Sequence, residues 1–125
     1  MSHKKRLLQF MLICLPLEGK NIDSLLAVQF EEAKYFLLVD DKTKETEIVK
    51  NLVKRDGAVY LVAAKKPKVV ITGNILPASF DFLQASGVKI ISGIFGQTGK
   101  EAFNNYKKGK MAETHKKGVP KGKLL

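Results

Sequence analysis

The stretch KVVITGNILPASFDFLQASGVKIIS, residues 68–92, decides how this chain is read. It opens on Lys68–Ile71, a short β-branched run that suits a strand buried on both faces. Thr72-Gly73-Asn74 supplies turn chemistry, and Pro77 stands at the first position of a predicted helix, where its missing N–H costs nothing. Phe80, Leu83 and Gln84 follow, and Gly87 provides the C-terminal stop of a helix over 77–86. Val88–Ile91 is then a second short buried strand. Strand, helix and strand in this order predict a right-handed parallel crossover, and so an open sheet with helices on its faces.

The pattern extends in both directions. Downstream, Thr98 and Glu101 have the spacing of a capping box. They predict a helix over 98–108 that buries Ala102, Phe103 and Tyr106 and ends at Gly109. Upstream, Asp56 is the expected N-cap of a helix through Lys66, which Pro67 stops. Leu7–Leu15, ending at Pro16, and Ala33–Val39, ending at Asp40-Asp41, are nearly continuous apolar runs and read as buried strands. Asn21–Glu32 between them reads as a loop with a short helical turn. Thr43–Arg55 stays open. Ile48, Val49, Leu52 and Val53 have helical spacing, yet turn residues around Lys42 followed by Glu45–Val49 equally suit a hairpin partner.

The expectation is a single α/β domain, a mixed sheet with a short meander before its parallel strands. The chain has 125 residues, 45% of them hydrophobic, enough for one core. Its lone cysteine, Cys14, excludes an internal disulfide framework and fits a reducing, intracellular (cytoplasmic) setting. Cys14 lies within the first apolar run and is expected in the core. Lys4-Lys5-Arg6 before LLQFMLICLPL resembles an export signal, but Gln9 interrupts the run and no small-x-small site follows. The run is also too short to span a membrane.

The formal charge is +10. Lys4, Lys5 and Arg6 lie at one end, and seven lysines against Glu113 lie in 107–125, which leaves +1 for 7–106. Basic, flexible tails at 1–6 and 110–125 around a nearly neutral domain are therefore expected. Both histidines, His3 and His115, fall in those tails, so a histidine-based metal or nucleophile site is not expected in the folded part. Asp40-Asp41 is read as a turn after a strand, because neighbouring strand residues point to opposite faces. The loops Thr72-Gly73-Asn74 and Gly93-Ile94-Phe95-Gly96-Gln97-Thr98 follow the carboxyl ends of predicted parallel strands, where open α/β sheets bind ligands. Glycines that merely permit tight turns explain them as well.

Several segments, taken in order, resemble the dinitrogenase iron–molybdenum cofactor-binding family, the NifX-like group that includes the carboxyl-terminal domain of NifB. They are Pro16-Leu17-Glu18-Gly19-Lys20, the run from Gln29 to Asp40, Val69-Val70-Ile71-Thr72-Gly73 and Gly87-Val88-Lys89. Gly93, Gly96-Gln97-Thr98, Ala102, Tyr106 and Gly109 continue the likeness, which spans about 12–109. The resemblance implies a ribonuclease H-like α/β fold for 7–109 and a strand at Glu45–Val49. It also implies a non-enzymatic role in nitrogen fixation chemistry, holding or passing an iron–molybdenum or other metal–sulfur cofactor among metallocofactor assembly proteins.

The cofactor-binding residues it implies are Gln29, Phe30, Glu31, Glu32, Thr72, Gly73, Asn74, Gly93, Gly96, Gln97 and Thr98. The family typically shows His-Phe-Gly-Arg-Ala where this chain has Gln29-Phe30-Glu31-Glu32-Ala33, so altered or lost cluster binding is expected. An interaction module whose basic tails contact nucleic acid or an acidic protein is the alternative.

Overall fold

The computed structural model describes residues 11–53 and 55–115. Its central strand β1 (Leu12–Leu17) is buried throughout. β1 pairs antiparallel with β2 (Tyr35–Asp40), and β2 antiparallel with β3 (Thr46–Lys50). On its other side β1 runs parallel to β4 (Val69–Ile71), and β4 parallel to β5 (Lys89–Ile91). The order β3-β2-β1-β4-β5 is the expected mixed sheet, a meander followed by parallel strands. The helices are α1 (Arg55–Ala64), α2 (Pro77–Ala85) and α3 (Gly99–Lys107).

Alternation along each strand divides the interior into two cores. Cys14, Phe36, Leu38, Val70 and Ile90 pack with Val59 and Val62 of α1 and with Phe80 and Leu83 of α2. Ile13, Leu15, Leu37, Val69 and Ile91 pack with Ala102 and Phe103 of α3 on the opposite face. Helices on both faces explain why the strands read as apolar runs rather than alternating ones.

The boundaries differ from expectation where backbone bonding outweighs composition. Pro16 does not end β1 but lies inside it, opposite Phe36. Its backbone faces the β4 side, where pairing stops at Cys14 with Val70, so no ladder bond needs the N–H it lacks. Its carbonyl instead accepts the Ala27 N–H at 3.0 Å. Residues 7–10 of the expected first strand lie outside the described residues.

The open segment resolves as a hairpin, not a helix. The Asp40 carboxylate accepts the N–H groups of Lys42 and Thr43 at 2.9 and 3.0 Å, and Lys44 turns the chain at φ 66°. Three of the four helix-spaced residues never find a core: Ile48 is 42% exposed, Leu52 77% and Val53 54%. Asp56 is not the cap of α1 but a first-turn residue, favourable there to the helix dipole. Thr98 and Glu101 do form the capping box of α3, and Gly87 and Gly109 stop α2 and α3 at φ 86° and 73°.

The domain also runs further than 109. Met111 packs against the α3-side core, the Thr114 N–H donates to the Ile90 carbonyl at 2.7 Å, and the Ser92 N–H donates to Thr114 Oγ1 at 2.8 Å. Residues 111–115 thus lie along β5 and cover an edge that would otherwise be open. The rest of both expected tails, 1–10 and 116–125, lies outside the described residues. Among those described, no helix is long and apolar enough to cross a membrane.

Candidate functional site

β1, β3, β4 and β5 run in one direction, so the segments that follow them meet at one end of the sheet. They are tied together by backbone bonds. The Asn74 N–H donates to the Val28 carbonyl at 2.7 Å, and the Phe30 N–H donates to the Asn74 carbonyl at 2.8 Å. Gly93 N–H reaches the Gly73 carbonyl at 2.9 Å, Ile94 N–H the Thr72 carbonyl at 3.1 Å, and Leu26 N–H the Gln97 carbonyl at 2.9 Å. Every residue from Gln29 to Glu32, Thr72 to Asn74 and Gly93 to Thr98 is brought to this end.

Their side chains have different fates. Phe30 is fully buried and stacks at a tilt on Phe36, ring centroids 5.2 Å apart. It is a core residue of the short 3₁₀ turn Phe30–Glu32. Glu32 is half exposed, with the Arg55 guanidinium 3.7 Å away. Thr98 is occupied by its capping box: its N–H donates to Glu101 Oε1 and its hydroxyl accepts the Glu101 N–H. Gln97 Oε1 accepts from the Asn105 amide at 3.2 Å. Gly93 and Gly96 adopt φ 82° and 75°, with open space where a side chain would stand. Gly73 is a glycine for another reason, since a Cβ there would lie 2.5 Å from the Val28 carbonyl and 2.9 Å from that of Ala27. The close approach it permits is that of another loop.

Glu31 is the least expected of the set. Its side chain is 1% exposed. Oε1 accepts from the Gln29 amide at 2.7 Å and Oε2 from the Leu76 N–H, the first residue before α2, at 3.1 Å. Sequence reasoning also missed Asn51, buried at the end of β3, whose amide donates to the Ala33 carbonyl at 2.8 Å and holds this turn against the hairpin. No periodicity marks either residue, because both answer to contacts between distant segments.

Thr72 is fully buried and, among the described residues, its hydroxyl has no hydrogen-bond partner. An orphaned buried hydroxyl costs about 1–3 kcal/mol. Thr72→Val is therefore expected to raise stability by about 1 kcal/mol, or about 5 °C in melting temperature. A fall in melting temperature would mean that the hydroxyl is satisfied.

The rim of the site is apolar: Leu25, Val28, Leu76 and Phe95 are all substantially exposed. Direct metal ligation has little to draw on, as no group of three or more His, Cys, Asp or Glu gathers among the described residues. Cys14 lies in the core, where burial pushes its thiol pKa far up, so no thiolate is presented. An open concavity lined in part by Leu12, Lys66, Lys68 and Val88 lies at the opposite end of the sheet and involves none of these residues.

No curated protein matches this chain. Among solved structures, the apo form of the orange protein from Desulfovibrio gigas is similar at 27% identity and TM-score 0.76, over 83% of this chain and 92% of that one. A NifB-like protein from Thermotoga is similar at 26% identity and TM-score 0.73, over 82% and 92% of the two chains. A dinitrogenase-like protein from Methanocaldococcus jannaschii shares the fold at 18% identity and TM-score 0.66, over 83% and 94%. The family model described as dinitrogenase iron-molybdenum cofactor matches residues 11–109. That span contains all of the sheet, all three helices and the loops just described, and the chain belongs to the dinitrogenase iron–molybdenum cofactor family.

Proposed function

We propose that this chain is a non-enzymatic binding or carrier protein of metallocofactor assembly. Its binding face is the loop crevice at the carboxyl ends of β1, β4 and β5, and its cluster preference is altered. The observation that supports this most is the convergence of the Gln29–Glu32, Thr72–Asn74 and Gly93–Thr98 segments at one rigid end of the sheet. Family membership supports the binding role. The fit to an anionic iron–molybdenum cargo is poor in this chain: the Asn74 and Thr98 amides are engaged internally, and carboxylates stand at 31 and 32. What remains open is the Phe95–Gln97 part of the last loop and the apolar rim.

The test is to titrate the full chain, without oxygen, with an anionic molybdenum–iron–sulfur species followed by visible absorption. The variant Gln29→His, Glu31→Gly, Glu32→Arg is expected to bind at least about tenfold tighter than the parent chain, since it removes two like charges and adds a cation. Absent or unchanged binding in the folded triple variant would sink the assignment of this crevice.

A second reading has one specific observation in its favour. Lys42, Lys44, Lys65, Lys66, Lys68, Lys107, Lys108 and Lys110 lie on turns and helix ends at the pole opposite the crevice, where Lys65 pairs with Glu47 and Lys107 with Asp41. This polarity fits docking to an acidic protein surface, with the crevice left free. Salt-sensitive capture of an acidic partner, lost when these lysines are reversed in charge and kept in crevice variants, favours it.

A further inference from the structure

Helix α2 begins poorly. Its cap residue, Leu76, has no side-chain acceptor, and no side chain caps the first turn. A nine-residue helix so placed leaves a positive end facing the crevice. Glu31, 45 positions upstream, supplies the negative charge instead. Its carboxylate is buried, takes the Leu76 N–H with one oxygen and the Gln29 amide with the other, and makes no ion pair among the described residues. Both neighbours are neutral donors, and the carboxyl group is turned toward that helix end. Strand alternation directs Thr72, with its unpartnered buried hydroxyl, to the same face as Phe30 and Ile75, which flank Glu31 and Leu76 in sequence. The acidic group at this helix end is thus part of the chain itself.

We infer that Glu31 is the residue that sets this crevice against anions, by holding from within the Leu76 N–H that an anionic ligand would otherwise take. This rests on the loop crevice being the binding face. It assigns the selectivity to one side chain. Glu32, exposed and beside Arg55, contributes only screened charge. Cargo that binds the unmodified chain here is neutral or carries its positive charge toward Glu31.

The experiment compares the full-length wild type, Glu31→Ala and Glu31→Gln with two probes, tetrathiomolybdate and formate. The readouts are the dissociation constant, the Leu76 amide resonance and the melting midpoint. In the wild type the Leu76 resonance stays in place with either probe. Glu31→Ala binds tetrathiomolybdate at least about tenfold tighter, as expected for regaining a hydrogen bond to an anion. Its Leu76 resonance shifts on binding, and formate, which refills the lost carboxylate, raises its melting midpoint but not that of the wild type.

Glu31→Gln keeps the volume and loses the charge, so it gains several-fold, less than alanine does. Should the alanine variant fail to fold, Glu31→Ser, which is too short to hold the Leu76 N–H, decides in its place, and wild-type affinity there overturns the inference. So does a wild type whose Leu76 resonance already moves with tetrathiomolybdate. A triple variant at 29, 31 and 32 that gains affinity beside folded Glu31 variants that do not would keep the binding face and overturn the role given to Glu31.

Discussion

Gly73→Ala is expected to lower the stability of the domain by about 3 kcal/mol, and its melting temperature by about 15 °C. The added methyl would stand 2.5 Å from the Val28 carbonyl and 3.0 Å from the Phe95 ring. The exposed Phe95 ring can swing aside, but the backbone carbonyl cannot yield locally. Val28 is held by the Asn74 N–H at 2.7 Å, and Asn74 in turn holds Phe30 at 2.8 Å. Moving the loops apart gives up these two bonds, each worth about 1 kcal/mol net, on top of the overpacking. Gly96→Ala is the control. Its φ of 75° costs about 1 kcal/mol in strain, but the space around it is open. Thermal and urea melts of both variants decide the point, and a Gly73→Ala loss no larger than that of Gly96→Ala would show that the loops are not locked.

Truncating Phe30 should cost more still. Phe30→Ala removes a fully buried ring from between the 3₁₀ turn and the α1–α2 core, and is expected to cost about 4 kcal/mol. Phe30→Leu, which keeps most of the volume, should cost about 1–1.5 kcal/mol. If alanine at 30 left the melting temperature nearly unchanged while altering ligand binding, Phe30 would be a crevice residue rather than a core one. The magnitude matters for function because the same turn carries Glu31, whose contacts to Gln29 and Leu76 depend on its position. A loosened Phe30 would release the carboxylate as well.

Much of this architecture was legible in one dimension. Pro77, Gly87, Thr98, Glu101 and Gly109 act within a turn or two of themselves, so their signals survive without knowledge of the rest. Unbroken apolar runs at β1 and β2 announced strands covered on both faces, and the order of strands and helices then allowed few topologies. The family likeness added the strand at 46–50, which periodicity alone left open.

The chain's own residue order therefore determined the α/β class, the crossovers and the end of the sheet where the loops meet, since each follows from local bonding and burial period. Tertiary structure decided the rest. Pro16 is tolerated in mid-strand because β4 is too short to require its N–H, and residues 111–115 are ordered because the edge of β5 offers them partners. Gly73 answers to a carbonyl 45 residues away, and Glu31 to an N–H at the same remove. The family resemblance placed Glu31 among the cofactor-binding residues, with no sign that its side chain is buried. Its burial, its two donors and its place at the start of α2 arise only when distant segments are packed together, and such contacts leave no period in the sequence.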